Sequence, residues 1–429
     1  MKSELAFVAT CDLVAQVRGR SLNRKALLNS GVGVGWVPAN FALNAFGDIA
    51  EPNSFGSLGD LRLIPDLETE VVLPGVGQNS SPLHFFLSNQ ILPNGRPWEN
   101  CLRTIAQKAV SDLEKDHGVE MIASFEHEFA LFGEGLSTGN PFGLDSYRLA
   151  EPFGSELFDE LERAKLEPEN WLAEYGQGQF EITLKPAKGV VAADRAIILR
   201  EIVRDCARRH SLRATFAPLI SSASVGNGVH VHLSLRKNGN PVMYDPSLPG
   251  NLSTVAAAAF NGILMHAESI LAWAAPSQVS FLRLTPHRWS AGGIAIAVQN
   301  RESLLRICPV LTLGGQDPSA NFNVEFRAAD ATANPWILIA LLARAMSVGL
   351  SSGKSPERVI EGELEDDDSV RPMPSSLSRA IDAFASDVIA TNWLPPTLVQ
   401  THLGIRESES RALDGLNDDE KCKRYVDVY

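Results

Sequence analysis

Alternating apolar and polar residues mark four segments as half-buried strands. In Val229-His-Val-His-Leu-Ser-Leu235 the residues Val229, Val231, Leu233 and Leu235 form one unbroken apolar face, and His230, His232 and Ser234 share the other. In residues 119–132, Glu126 and Glu128 point one way and Phe125, His127 and Phe129 the other. Residues 179–184 form a third strand. In the fourth, residues 323–327, Glu325 and Arg327 oppose Val324 and Phe326. Apolar residues at helical spacing predict helices over 98–115, 194–210 and 335–348, and the tail from Pro374 is helical again. Residues 255–275 are rich in alanine and leucine but carry Asn261, His266 and Glu268, which predicts one buried helix and not a membrane span. Residues 353–371, with Glu365-Asp-Asp-Asp368, read as a solvated acidic loop.

The first 95 residues differ in texture. Short apolar runs lie between glycines, prolines and asparagines, which predicts small strands and turns, ending at Pro93-Asn94-Gly95. The chain therefore reads as α+β, with a small N-terminal domain over 1–95 and a larger domain over 96–429. Glu4 and Asp12 interrupt the apolar run at the start, so it reads as a first strand and not a signal peptide.

Composition narrows the function classes. The 429-residue chain has a net charge of −13 and shows no basic stripe, which argues against nucleic acid and against a polybasic membrane contact. Cys11, Cys101, Cys206, Cys308 and Cys422 are scattered and form no CxxC pair, which suits reduced thiols in a cytoplasmic protein. Gly31-Val-Gly-Val-Gly35 has no clear helix after it, so its glycines read as structural, and no P-loop motif is present.

The polar faces carry the chemistry. Glu126 and Glu128 would repel each other on one face, which suits either a solvent-facing edge or a site. Glu174 and Glu181 flank a glycine-rich turn. The pair His230 and His232 could supply two metal ligands, one or none. Arg301, Arg306 and Arg327 could clamp an anion, because a guanidinium fork matches phosphate and carboxylate. If these strands converge, Glu126, Glu128, Glu174, Glu181 and Glu325 share one cavity, and five carboxylates cannot stay ionised together without cations. Oxygen-rich donors with an imidazole suit Mg²⁺ or Mn²⁺. Divalent cations beside arginines are the parts of phosphoryl transfer from ATP.

Taken in order along the chain, these motifs resemble the glutamine synthetase family. The matching stretches are Glu126-x-Glu128, Glu174 followed by Gly178-Gln-Phe-Glu181, Gly226 through Leu235, Asn300-Arg301 through Arg306, and Glu325-Phe-Arg327 before Asn334-Pro335-Trp336. The resemblance implies a β-grasp N-terminal domain and a catalytic domain with a curved antiparallel sheet flanked by helices. It implies one metal on Glu128, Glu174 and Glu181, and a second on Glu126, His230 and Glu325, with two or three Mg²⁺ or Mn²⁺ per site. His232, Ser234, Arg306 and Arg327 would face ATP. Gly226, Arg283 and Arg301 would hold glutamate, and Arg301, Arg306 and Arg327 would assist transfer. The implied assembly is a homo-oligomer of two stacked hexameric rings. The implied reaction joins the γ-carboxylate of glutamate to an amine through a γ-glutamyl phosphate.

The sequence also departs from the family. Where glutamine-forming members carry a glutamate, six residues after Arg283 and twelve before Arg301, this chain has Trp289, beside His287 and Arg288. The family's Asp-Gly-Ser-Ser stretch is absent, and Asp48 is the nearest candidate for its aspartate. An aromatic in that place suits an organic amine, so Trp289 is expected to line an amine pocket. The competing readings are an ordinary glutamine synthetase using ammonia and a non-catalytic structural or regulatory relative. The filled set of six metal-ligand positions argues against the latter.

Overall fold

The computed structural model describes residues 4–75, 80–136, 139–288 and 290–429, apart from the side chain of residue 366. Six strands build the N-terminal sheet: β1 (Leu5–Cys11), β2 (Val17–Asn23), β3 (Val34–Trp36), β4 (Leu61–Pro65), β5 (Val71–Leu73) and β6 (Leu83–Ile91). Their order is β2-β1-β6-β4-β3, with β5 on β6. β1 and β2 form an antiparallel hairpin, the helix Arg24–Ser30 follows, and β6 returns parallel to β1, which is the expected β-grasp layout. Gly31 ends that helix in the left-handed region, and Gly33 lies so close to the Leu63 carbonyl that a side chain would collide with it. The Gly31–Gly35 motif is structural, as expected.

The helix expected from residue 98 starts later, at Leu102–His117. Trp98 is spent elsewhere: its ring meets Phe41 edge-on at 4.9 Å and lies 5.5 Å from Phe55, completing an aromatic cluster.

The second sheet has eleven strands: β7 (Glu120–Phe132), β8 (Pro168–Ala173), β9 (Gln179–Leu184), β10 (Ala187–Lys188), β11 (Arg213–Thr215), β12 (Val229–Lys237), β13 (Asn240–Pro241), β14 (Gly293–Val298), β15 (Ser303–Ile307), β16 (Val324–Phe326) and β17 (Arg371–Pro372). The main order is β17-β14-β15-β16-β12-β7-β9-β8. The expected antiparallel sheet is in fact mixed. β14 and β15 run parallel: the connection starts beside the end of β15, where the Gln299 amide donates to the Ile307 carbonyl, and returns to the start of β14, where the Gly292 amide donates to the Glu302 carbonyl.

The apolar face of this sheet is the core. Val229, Val231, Leu233 and Leu235 are buried, as are Phe125 and Phe129. His127 lies among them, and burial together with the Arg200 charge pushes its imidazole down to about 3, so it is neutral. The helices Gly189–Arg209 and Leu102–His117 cover this layer, and Pro335–Ser352 packs on both of them. Pro335–Ser352 is long and apolar enough to cross a membrane, yet it is packed inside the protein.

Two further expectations need correction. Residues 255–275 form two helices, Thr254–Met265 and Ala267–Ala274, bent by 70°. The break falls at His266, whose backbone leaves the helical region and whose Nδ1 pairs with Asp387 Oδ2 at 2.6 Å. Residues 353–371 are not wholly solvated. Ile360 and Leu364 are buried against β14, and Arg371 enters β17.

Candidate active site

Strand register assembles the polar face. Glu126 on β7 stands opposite His230 on β12, and Glu128 stands opposite Glu181 on β9. Further across the sheet, His232 stands opposite Glu325 on β16, and Glu325 opposite Arg306 on β15. Because side chains alternate strictly along each strand, these pairs converge on one side. They line a cavity of about 410 Å³ together with Glu174, Gly226, Arg301 and Arg327. The polar faces of the four strands thus close into a single chamber. The neighbouring cavity, about 360 Å³, holds Ser124, Ser234 and Asn323, and it shares Glu126 and His232 with the first. The two chambers meet at those two side chains.

The hydrogen bonds are dense. His230 Nδ1 lies 2.7 Å from Glu126 Oε1 and 3.3 Å from Glu325 Oε1. His232 Nε2 lies 3.5 Å from Glu126 Oε2. Glu128 Oε2 accepts from the Gly228 amide at 2.9 Å and from Gln179 Nε2 at 3.2 Å. Glu325 is 1% exposed and held between two guanidiniums: Arg306 Nη1 donates to Oε2 at 2.8 Å, and Arg327 Nη1 donates to Oε1. Arg327 also donates from Nε to the Arg301 carbonyl at 2.7 Å, which fixes the loop that carries Arg301.

Charge is distributed unevenly. Burial, then the charges of Glu126, Glu128 and Glu174, push the Glu181 carboxyl up to about 10. Burial and Glu128 push Glu174 up to about 7. Burial also works against Glu325, but His230 and Arg327 outweigh it and hold that carboxyl down to about 2. Glu126 is held well below its ordinary range for a similar reason, with His230 and His232 outweighing burial. Half of the chamber therefore lacks positive charge, and half carries it on arginines.

That imbalance is what a divalent cation would relieve, and the donor set fits one. Glu126, Glu181 and His230 offer ligand atoms within 4.8 Å of one another, and so do Glu126, His232 and Glu325. Carboxylates with a few imidazoles are the donors that hard divalent cations accept.

Other expected residues fall elsewhere. Arg283 lies behind the wall, 2% exposed, and its Nη2 donates to the carbonyls of Ala328 and Ala329 at 2.7 and 2.9 Å. Its side chain packs under Gly226, where a Cβ would collide with it. Ser234 lines the second chamber. Asp48 is exposed on the N-terminal domain. Trp289 lies outside the described residues. Sequence reading missed Phe142, Leu172, Tyr175 and Gln179, all of which line the main chamber. Gln179 had a signal, since it shares a strand face with Glu181. Phe142 lies in a loop and had none.

A two-domain chain with this sheet and this chamber has the architecture of an ATP-dependent ligase. Family models for the "Glutamine synthetase N-terminal domain" and "Glutamine synthetase, catalytic domain" match residues 2–98 and 99–425. The chain belongs to the glutamine synthetase family and is a carbon–nitrogen ligase. It is 30% identical to the gamma-glutamylpolyamine synthetase GlnA3 of Streptomyces coelicolor, over 92% of this chain and 86% of that one. It is 33% identical to the glutamine synthetase of Streptomyces filamentosus, over 76% and 77%. A crystal structure described as a novel glutamine synthase homolog superposes with a TM-score of 0.93 and 38% identity, covering 100% of this chain and 99% of that one. Enzymes of this family use ATP and divalent metals.

Proposed function

We propose that the chain joins the γ-carboxylate of glutamate to an organic amine at the expense of ATP. A carboxylate oxygen attacks the terminal phosphorus, and the bond to the ADP oxygen breaks. The amine lone pair then attacks the acyl carbon, inorganic phosphate leaves, and the amine gives up a proton. Phosphorylation is required because oxide is a poor leaving group.

The side chains divide this work. Arg301, Arg306 and Arg327 would balance charge on the transferring phosphoryl group and on glutamate. Glu126, Glu128, Glu174, Glu181, His230 and Glu325 would hold two or three Mg²⁺ or Mn²⁺ ions. When bound, these ions would neutralise the phosphates and orient them for in-line attack. The second chamber, with Ser234, would take the nucleotide. Gly226 would hold the amino-acid end of glutamate, with Arg283 supporting it from behind. A stacked-ring homo-oligomer belongs to the same reading.

The observation that carries the organic amine is the rim of the main chamber. Phe142 and Tyr175 stand there with ring centroids 6.4 Å apart, 57% and 47% exposed, next to Glu174. An aromatic rim suits an amine with a carbon chain, through apolar and cation–π contact, better than ammonium. The departure from glutamate at positions 287–289 and the likeness to a gamma-glutamylpolyamine synthetase support the same reading. The test is phosphate release from Mg-ATP and glutamate across alkyl, aryl and polyamine substrates and ammonia. Good turnover with ammonia and none with any organic amine would overturn it.

A further inference from the structure

His232 stands where the two chambers meet, and one neighbour fixes which of its ring nitrogens faces them. Asn323, the residue before β16, donates from Nδ2 to the Asn321 carbonyl at 3.0 Å. A carbonyl can only accept, so this bond settles which way the amide of Asn323 points. Its Oδ1 is thereby turned to His232 Nδ1, 2.9 Å away. An amide oxygen also only accepts, so Nδ1 must carry a hydrogen in every charge state of the ring. Nε2, on the opposite side and 3.5 Å from Glu126 Oε2, is left as the one nitrogen able to present a lone pair. The Cys308 sulfur, 3.8 Å from Nδ1, stands on the Asn323 side of the ring.

We propose that Asn323 is a positioning residue that locks His232 with Nε2 toward Glu126, where Nε2 acts as the nitrogen ligand of a divalent cation. The grouping of Glu126, His232 and Glu325 within 4.8 Å supplies the other two donors. The division of labour expected from sequence, with His232 serving phosphate alone, is thereby extended. A hydrogen-bond acceptor on the far nitrogen of a ligating imidazole fixes its tautomer and orientation, and removing one costs about 10–100-fold in metal affinity. Asn323 is only half-buried, so its replacement leaves the core untouched.

The inference rests on reading this chamber as a cation site, and the experiment separates the two. Mn²⁺ binding to the full-length protein is measured by electron paramagnetic resonance without nucleotide, for the wild type, Asn323→Leu and Asn323→Asp. Asn323→Leu removes the acceptor at similar volume, and it is expected to weaken one class of Mn²⁺ site about tenfold with unchanged thermal unfolding. Asn323→Asp keeps an acceptor oxygen and is expected to bind like the wild type. Wild-type affinity in Asn323→Leu, or equal loss in both variants, would overturn the role of Asn323 alone. Absence of Mn²⁺ binding in the wild type would overturn the cation site itself.

Discussion

Glu128 and Glu181 face each other directly across the β7–β9 ladder, two carboxyl groups in register. Like charges opposed in this way destabilise a sheet, so the folded chain disfavours ionising both carboxyls at once. In the ligand-free chain Glu181 is pushed up to about 10 and Glu174 to about 7.

The pH dependence of stability follows from those directions. A carboxyl with a raised folded-state pKa favours folding fully below its unfolded value, and that contribution is lost as pH rises to the folded value. The window runs from about 4.5 to about 7 for Glu174 and from about 4.5 to about 10 for Glu181. The depressed carboxyls Glu126 and Glu325 lose their contribution only below about 4.5, outside this window. The buried imidazoles of His127 and His402, both pushed down, act the other way, but only below their unfolded value of 6.5. The melting temperature of EDTA-treated protein should therefore fall between pH 6.5 and pH 8. Differential scanning calorimetry would show it, and a flat or rising profile would contradict the crowding of carboxylates.

Mg²⁺ or Mn²⁺ should reverse that loss, and more at pH 8 than at pH 6. A cation at one hundred times its dissociation constant adds about 2.7 kcal/mol for one site. Melting curves with and without metal at both pH values test this.

Glu181→Gln separates stability from activity. The amide cannot take on the charge that burial and the acidic neighbours disfavour, so the metal-free variant should melt at or above the wild-type temperature. It should nonetheless lose phosphate release from ATP, because a carboxylate donor is gone. Unchanged turnover would break the assignment of Glu181.

Arg327→Met tests the pair it forms with Glu325, which are 2% and 1% exposed. Removing one partner of a buried ion pair typically costs about 3–5 kcal/mol. Part of that cost is spared here because Arg306 still holds Glu325. Urea denaturation should show a loss at the lower end of that range, and activity should vanish.

Tyr175→Ala and Trp289→Glu probe the amine. The first should raise KM for alkyl or aryl amines while leaving KM for ATP near wild type. The second places a carboxylate where glutamine-forming relatives have one, and it should shift the kcat/KM ratio toward ammonia. Steady-state kinetics on paired amines reads both.

Much of the site was legible as pattern. The alternation in residues 229–235 assigned His230 and His232 to one face and the valines to the core, and both proved right. The same period placed Glu126, Glu128, Glu181 and Glu325, because a strand has only two faces and the apolar one must be buried. Helix limits were less legible. Trp98 has helical spacing but is claimed by Phe41 and Phe55, and His266 is claimed by Asp387, both far away in sequence.

What the sequence determined alone was therefore the sidedness of each strand and the kind of chemistry its polar side could do. Which strands became neighbours was decided only by tertiary structure. Pairing set Glu126 against His230, Glu128 against Glu181 and Arg306 against Glu325, and it put Arg283 behind the wall that the motif order suggested it would line. Register and layer depend on packing between residues separated by up to hundreds of positions. Local periodicity carries no record of those distances, which is why Asn323, Phe142 and Tyr175 joined the site only when the sheet closed around it.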